Sequence, residues 1–263
     1  MPKIAIIGGT GVYNEDAFEV ESTEYPDTPY GKPSDKIQIG KLNGVEIAFL
    51  CRHAKDHSIS PTNVPYRANM WALKKLGVEI IISACAVGSL KEKYAPGDLV
   101  IVDDFIDFTR FRDLTFIDDA AIHISLPQPF CPKVSDVFAD AAKELGIRHH
   151  KGGTYICIEG PRFSTRAESK MFRNYADIIG MTLVPECQLA KELGMCYCSL
   201  ATITDYDMWK DEHVDTQMVK RVMAENSKNL VKLLEKGLSG IVTGRCDCAS
   251  DAKNAGALDH LKI

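Results

Sequence analysis

Short apolar runs rich in β-branched residues alternate along the chain with longer segments that have the periodicity of a helix. The clearest apolar run, Val78–Ser83, has the character of a buried parallel strand. Lys133–Leu145 repeats its apolar residues at helical spacing and is followed by Gly146, a common helix stop. This alternation predicts an α/β fold in which a mostly parallel sheet is covered by helices on both faces.

The remaining elements are predicted from the same two patterns. Further strands are expected at Lys3–Ile7, Ile37–Ile39, Val45–Leu50, Leu99–Val102, Gly153–Ile158 and Met195–Thr202. Further helices are expected from Ser60 to about Leu76 and at Thr165–Tyr175, Pro185–Leu193 and Thr216–Lys236. Because no linker interrupts the alternation, we predict one domain over residues 1–238 and a tail rich in Gly, Ala, Asp and Lys over residues 239–263.

Composition and charge exclude several classes of protein. The 263 residues suit one large α/β domain, and 45% hydrophobic with 25% charged residues is ordinary globular composition. A net charge of −5 gives no reason to expect a nucleic-acid partner. No apolar run approaches the roughly 18 residues that span a bilayer, and Gly8 and Gly9 interrupt the first run too early for a signal peptide. We therefore expect a cytoplasmic protein without a membrane partner.

A glycine-rich turn, Gly8-Gly9-Thr10-Gly11, follows the first predicted strand. Such a turn presents backbone N–H groups to an anion, and Thr10 adds a hydroxyl donor. A dinucleotide-binding turn would need a third glycine where Asn14 stands, and a purely structural turn is the other alternative. Phosphate binding is the favoured interpretation once other anion ligands accompany the turn.

Two further strand ends supply candidate anion ligands. Arg52 and His53 directly follow a predicted strand, and His57 lies in the same loop. The planar fork of an arginine suits phosphate, although an Arg-His pair in a loop is also common on a solvated surface. Cys85 and Ala86 belong to a run of small residues after another strand. Small residues allow a ligand to approach the backbone closely, or they allow tight helix–sheet packing.

Two more strand ends carry groups that suit a flat, hydrogen-bonding ring. Phe163 could stack on a flat ring and Ser164 could hydrogen-bond to it, or the two could serve as the hydrophobic staple and N-cap of a helix. Asp205 and Asp207 lie where open α/β sheets bind ligands. The acid pair could accept from ring N–H groups, hold a metal or form a solvated turn, but hard cations need more ligands than two.

Together these segments resemble the methylthioadenosine phosphorylases, within the trimeric branch of the purine nucleoside phosphorylase family. The resemblance covers about residues 3–235 and is carried by Ile6–Gly11, Thr28–Asp35, Arg52-His53 with His57, Ala86–Leu90, Pro96–Asp98, Glu159–Ser169, Met181–Glu186 and Thr204–Asp207 with Trp209. It implies a single α/β domain with a twisted, mixed, largely parallel and in part barrel-like sheet flanked by helices. It also implies phosphorolysis of S-methyl-5′-thioadenosine to adenine and 5-methylthioribose 1-phosphate, without metal or organic cofactor, in a homotrimer or a hexamer made of two trimers.

The resemblance also implies a role for each matching residue. The phosphate ligands are Gly9, Thr10, Arg52, His53, Cys85, Ala86 and Thr182. The base is held by Phe163, Ser164, Asp205 and Asp207. The ribose and its 5′ end are contacted by Met181, His57 and Met218, and by His123 of a neighbouring subunit. Catalysis is assigned to Asp205, Arg52 and His53.

The acid pair predicts which base is preferred. Carboxylates accept a hydrogen bond from a 6-amino group and repel a 6-oxo group, so Asp205 and Asp207 with Ser164 favour adenine over hypoxanthine. A broader purine nucleoside phosphorylase and a 5′-methylthioinosine phosphorylase are the nearest alternatives. A nucleoside-binding module that has lost catalysis and a dinucleotide-dependent oxidoreductase are more distant ones. Cys85 departs from the Thr or Ser that relatives commonly carry, and its weaker donor predicts a lower phosphate affinity.

The tail contains Cys246 and Cys248 in a Cys-Asp-Cys motif, out of nine cysteines in the chain. A disulfide here would resemble the tails of some thermophilic archaeal relatives, and unpaired thiols are the alternative. A zinc site needs about four ligands, and because no second cysteine pair is evident the sequence disfavours a metal. Cys196 and Cys198 alternate on one strand face and are predicted core residues.

Overall fold

The computed structural model describes residues 1–9, 18–210, 216–244 and 246–262, without the side chains of residues 216–220. The strands are β1 Ile4–Gly8, β2 Phe18–Glu24, β3 Ile37–Leu42, β4 Val45–Cys51, β5 Ile80–Ser89, β6 Leu99–Ile101, β7 Asp104–Phe108, β8 His149–Lys151, β9 Thr154–Ile158, β10 Ile178–Gly180 and β11 Cys196–Asp205. The helices are α1 Tyr66–Lys75, α2 Pro132–Glu144, α3 Arg166–Phe172, α4 Glu186–Glu192, α5 Thr216–Leu238, α6 Ser250–Asn254 and α7 Ala257–Leu261.

All of these strands form one mixed sheet that branches at β5. The main path runs β2-β3-β4-β1-β5-β10-β9-β7, while β11 also pairs with β5 and continues the sheet through β6 to β8. The central pairs, β4 with β1, β1 with β5 and β5 with β11, are all parallel. Antiparallel pairs occur at β2–β3, β3–β4, β5–β10 and β6–β11. The prediction of a mixed, largely parallel sheet flanked by helices is confirmed.

Alternate residues of β1 enter two different cores, as the two-residue repeat of a strand requires. Ala5 and Ile7 pack in a core that also contains residues of α1 and α4. Ile4 and Ile6 pack on the opposite face with residues of α2 and α5. Helices therefore cover both faces of the central strands, and the ligand-binding edge is left at the strand ends.

The helix expected from Ser60 begins later than predicted. Pro61–Asn63 forms a short 3-10 turn, and α1 starts only at Tyr66, directly after Pro65. A proline disfavours helical geometry in the residue before it, so the first turn cannot continue into α1. The end is close to the prediction, because Gly77 adopts a left-handed φ of 83° beyond the last residue of α1.

Two strands extend beyond their predicted ends, and this places the candidate site. β5 continues to Ser89 and β11 continues to Asp205, so their carboxyl ends lie side by side, with Asp205 opposite Gly88. No sequence pattern predicted β2, because only Phe18 among its residues is buried. The predicted boundary at residue 238 coincides with the end of α5. No helix in the described ranges is both long enough and apolar enough to cross a membrane.

Candidate active site

A cavity of about 360 Å³ opens at the carboxyl ends of β1, β4, β5 and β11. Its lining includes twelve of the fifteen residues singled out in the sequence, namely Gly9, Arg52, His53, His57, Cys85, Ala86, Phe163, Ser164, Met181, Thr182, Asp205 and Asp207. Thr10 and the side chain of Met218 lie outside the described residues. His123 is exposed and does not line the cavity. One site therefore gathers side chains from segments that are far apart in the sequence.

Arg52 is buried behind the cavity wall and is paired with an acid that the sequence analysis did not single out. Its Nε and Nη2 atoms donate to the two carboxylate oxygens of Glu186 at 2.7 and 2.8 Å. Nη2 also donates to Ser83 Oγ at 2.8 Å, and Nη1 donates to the Ala84 carbonyl at 3.2 Å. These contacts occupy most of the guanidinium and direct its two-pronged side to Glu186, so phosphate binding by Arg52 stays a prediction. Only one Nη1 proton remains for a ligand.

The charge of Arg52 is fixed by this pairing. Burial alone would lower the pKa of the guanidinium, but the adjacent Glu186 carboxylate outweighs burial and raises it. Tyr197 donates from its hydroxyl to the same carboxylate at 2.7 Å, and Glu186 is fully buried. Burying an acid costs free energy unless it is paired with a cation. An acid within an apolar segment of the sequence therefore indicates a buried partner, and this signal could have pointed to Glu186.

His53 is held in one orientation by the backbone of its own loop. Its Nδ1 lies 2.9 Å from the Ile59 carbonyl oxygen, so Nδ1 carries the proton and Nε2 is left as an acceptor. Burial, and then the charge of Arg52, lowers the pKa of His53 to about 4. A neutral ring at pH 7 can accept a hydrogen bond from a protonated phosphate oxygen. The ring of His57 lies beside it, with centroids 5.1 Å apart.

Cys85 lies within β5 and not in the loop after it. Its sulfur lies 3.8 Å from Ser199 Oγ, and burial raises the pKa of the thiol to about 11. The side chain is therefore a neutral thiol at pH 7, with a weak S–H donor. The expectation that Cys85 binds phosphate less strongly than a hydroxyl would stays a prediction.

The other end of the cavity holds a connected acid pair. Asp207 accepts from Ser164 Oγ at 2.7 Å, and its own backbone N–H donates to Asp205 Oδ1 at 2.7 Å. Asp205 Oδ2 also accepts from Thr204 Oγ1 at 2.7 Å. Burial, reinforced by the charge of Asp207, raises the pKa of Asp205. Asp205 is thus protonated more readily than an aspartate exposed to water.

Ser164 is not the helix cap that one sequence interpretation allowed. The N-cap of α3 is Thr165, whose side chain accepts from the Glu168 backbone in a capping box. Ser164 is left free to bind Asp207. Phe163 is 76% exposed, so it lies at the mouth of the cavity and is not packed as a hydrophobic staple.

Gly88 has a structural reason to lack a side chain. A Cβ atom there would lie 3.2 Å from Asp205 Oδ1 and 3.3 Å from Asp207 Cβ. The acid pair can approach β5 this closely only because the position is a glycine.

Among the described residues, no third potential metal ligand groups with Asp205 and Asp207. The group of described side chains that could hold a metal ion consists of four cysteines. None of the four lines the cavity. The arrangement suits hydrogen bonding to a purine better than cation binding.

The cavity therefore has Arg52 and His53 at one end and the acid pair Asp205 and Asp207 at the other, on one edge of an α/β sheet. Residues 3–239 match the Phosphorylase superfamily, so the chain belongs to that superfamily. It is 57% identical over 255 residues to the S-methyl-5′-thioadenosine phosphorylase of Thermococcus kodakarensis, covering 96% of this chain and 98% of the relative. It is 48% identical over 259 residues to that of Saccharolobus solfataricus, covering 96% of each. Within the superfamily, the chain belongs to the S-methyl-5′-thioadenosine phosphorylase family.

Solved structures show the same fold. A methylthioadenosine phosphorylase from an antarctic soil metagenomic library has a TM-score of 0.90 at 42% identity, covering 95% of this chain and 90% of that one. The methylthioadenosine phosphorylase of Schistosoma mansoni in complex with adenine has a TM-score of 0.88 at 35% identity, covering 98% and 97%. The family resemblance inferred from the sequence is confirmed.

Proposed function

We propose that this chain catalyses the phosphorolysis of S-methyl-5′-thioadenosine to adenine and 5-methylthioribose 1-phosphate. The observation that carries the proposal is a single cavity lined at one end by Arg52 and His53, which suit an anion, and at the other by Ser164, Asp205 and Asp207, which suit a purine. Relatives more than half identical over nearly the whole chain bear the name of this activity. A Schistosoma mansoni neighbour was solved in complex with methylthioadenosine.

Phosphate is the nucleophile in this reaction. One of its oxygens bonds to the anomeric carbon of the sugar while the bond from that carbon to purine N9 breaks. The sugar becomes positively charged as the bond breaks, as in other glycosyl transfers. A phosphate held beneath the ring stabilises that charge and attacks at high effective molarity. Neutral His53 accepts from a phosphate hydroxyl, and Arg52, held in place by Glu186, donates its remaining Nη1 proton to the anion.

The leaving purine takes the electron pair of the broken bond. Asp205, with its pKa raised by burial, donates its proton to N7 as negative charge develops on the ring. Asp207 is held by Ser164 and accepts from the exocyclic amino group of adenine. A 6-oxo purine would set an acceptor against this carboxylate, and the unpaired polar groups would weaken its binding.

The sugar lies between these two ends. Met181 and His57 line the same cavity, and the exposed Phe163 stands at its mouth. Apolar contacts from Met181 suit a methylthio group better than a 5′-hydroxyl. No metal or organic cofactor takes part in the proposed reaction, since phosphate itself is the co-substrate.

We further propose that the chain acts in the cytoplasm as a homotrimer or as a hexamer of two trimers. Large apolar side chains are exposed around residues 108–175, including Phe111 at 81% and Tyr175 at 69% exposed. Exposed large apolar side chains mark a protein–protein interface where they lie together in one patch, and we propose that these do. The exposed His123 is available to complete the 5′ end of a neighbour's cavity. Sedimentation of the purified protein tests the oligomeric state. The KM of His123→Ala for the nucleoside tests the role of His123 in a neighbour's cavity.

The activity is tested by measuring base release from 5′-methylthioadenosine, adenosine, 5′-methylthioinosine and inosine, each with and without phosphate. We expect phosphate-dependent release of adenine, fastest from the methylthio substrate. Fast release from the inosine compounds would retain phosphorolysis but overturn the account of base selection. Release without phosphate would indicate a hydrolase, and no release at all would favour a binding module.

A further inference from the structure

Four cysteines from three separate parts of the chain meet at one point. Cys131 precedes α2 as its N-cap residue, Cys196 begins β11, and Cys246 and Cys248 lie between α5 and α6. Their Sγ atoms all lie within 4.8 Å of one another, and the Cys196 and Cys246 sulfurs are 2.7 Å apart. Cys246 is partly exposed and the other three are buried.

The second cysteine pair that the sequence analysis did not find is therefore supplied by tertiary structure. Cys131 and Cys196 are 65 positions apart, so no local spacing connects them to the Cys-Asp-Cys motif. Their backbones are joined next to the cluster, because the Cys131 N–H donates to the Tyr197 carbonyl at 2.8 Å. The sequence analysis disfavoured a metal site because two ligands were missing, and Cys131 and Cys196 now supply those two ligands.

The backbone around the cluster is fixed on the tail side as well. The Cys248 carbonyl lies 3.4 Å from the Nζ atom of Lys191, which is 3% exposed and also contacts Asp251 at 3.3 Å. Lys191 belongs to α4, so this buried cation connects the tail to the core of the domain. Its charge, and the N-terminus of the 13-residue helix α2 at Cys131, both favour thiolates nearby.

We propose that these four cysteines form a tetrathiolate site for one thiophilic divalent cation, with zinc as the ion to test. Zinc–sulfur bonds of about 2.3 Å in a tetrahedron place neighbouring sulfurs roughly 3.8 Å apart. The four sulfurs lie within 4.8 Å of one another, and the 2.7 Å between the Cys196 and Cys246 sulfurs would widen by about 1 Å when the ion binds. An all-sulfur donor set selects zinc-like ions over the hard cations Mg²⁺ and Ca²⁺. Because the sulfurs are so close, the site suits one ion and not a multi-iron cluster.

The site is structural and does not depend on the proposed function. Cys196 begins β11 and Asp205 ends it, so the cluster and the acid pair are about 30 Å apart along one strand. The ion would fasten residues 246–248 to the start of β11 and to α2. Binding energy at such a site adds to the free energy of unfolding because the unfolded chain holds no preformed site.

The test uses the full chain purified under anaerobic conditions, without added reductant and without chelator, so that any disulfide present survives to the assay. We expect about one zinc per chain by elemental analysis. After denaturation with chelator, and without reductant, all nine cysteines should react with a thiol reagent. Replacement by Co²⁺ should give the strong visible absorption of a tetrahedral thiolate site, a readout that does not involve activity.

Matched variants identify the ligands. Cys246→Ser or Cys248→Ser should weaken zinc binding by more than the about 10–100-fold that loss of an outer-shell partner costs. Cys198→Ala is the control, because Cys198 is also buried in β11, two residues after Cys196, but does not belong to the cluster. It should bind zinc like the parent, and all three variants should retain kcat at moderate temperature.

Two results would overturn the proposal. If only five thiols react in the denatured chain, the other four of the nine cysteines form two disulfides. The cluster would then hold the tail by disulfide bonds and not by a metal ion. If all nine react but neither Zn²⁺ nor Co²⁺ is taken up, the cluster is a group of free thiols. Thiol counting and metal uptake are both measured on the unmodified protein, so the test still decides the question if a variant fails to fold.

Discussion

Arg52 and Glu186 form a bidentate ion pair that is almost completely shielded from water, with Nε and Nη2 of the arginine 2.7 and 2.8 Å from the two carboxylate oxygens. The pair joins the loop after β4 to the start of α4, directly behind the candidate phosphate site. The pair is neutral overall, and it holds the guanidinium of Arg52 in a position that does not depend on a mobile surface side chain. Glu186 is therefore a positioning residue for Arg52.

Glu186→Ala should be strongly destabilising. The variant leaves the guanidinium of Arg52 buried without its counter-charge, and breaking such a pair typically costs about 3–5 kcal/mol. Urea denaturation measures the change in the free energy of unfolding. The matched control is Glu79→Ala, which removes an exposed pair with Lys3 and should cost less than about 1 kcal/mol. Equal costs for the two variants would mean that the buried pair does not hold this part of the fold.

His53 should make the native state less stable in mild acid. Its pKa is about 4 in the folded chain against an ordinary value of 6.5, so the unfolded chain binds the proton first as the pH falls. Stability is therefore lost between about pH 6.5 and pH 4, by up to about 3 kcal/mol, and no further loss from this residue follows below that window. Unfolding free energies of the parent and His53→Asn across this range should diverge, because the variant cannot titrate. Parallel curves would contradict the assigned pKa.

Asp205→Asn should lower kcat far more than it raises KM. The substitution keeps the size of the side chain but removes the proton that the proposed mechanism delivers to purine N7. General acid catalysis of this kind contributes roughly 10²–10⁴-fold. Steady-state phosphorolysis of 5′-methylthioadenosine measures both constants. A rise in KM with kcat unchanged would assign Asp205 to binding alone.

Asp207→Asn should weaken the preference for adenine nucleosides over inosine nucleosides. An amide can donate to a 6-oxo group, which a carboxylate repels. The backbone of Asp207 has a left-handed φ of 47°, a conformation that asparagine tolerates well, so the variant tests the side chain and not the fold. The ratio of kcat/KM for 5′-methylthioadenosine and 5′-methylthioinosine is the measurement. An unchanged ratio would remove Asp207 from base selection.

Several features of the site follow from local sequence. Gly9, His53, Ser164 and Asp205 each lie at or just beyond the carboxyl end of a strand or a loop that the sequence marked out. Parallel strands bring their carboxyl ends to one edge, so an alternating α/β pattern already predicts that these residues meet. The acid pair could likewise be interpreted as a base-binding group before the structure was known.

Other features depend on which distant side chains become neighbours. The pairing of Arg52 with Glu186 joins positions 134 residues apart, and it directs the two-pronged side of the guanidinium to a buried carboxylate. Gly88 faces the acid pair only because β5 and β11 run further than their apolar patterns indicate.

The sequence by itself determined the class of fold, the chain's family and most of the residues at the cavity, because periodicity and strand-end motifs are local and are repeated along the chain. Only the tertiary structure decided the partner of Arg52, the cap of α3 and the meeting of Cys131 and Cys196 with the tail cysteines. The physical reason is that a hydrogen bond, an ion pair or a metal site depends on distances of a few ångströms between atoms. Residues far apart in the sequence reach those distances only when packing fixes the strands and helices that carry them.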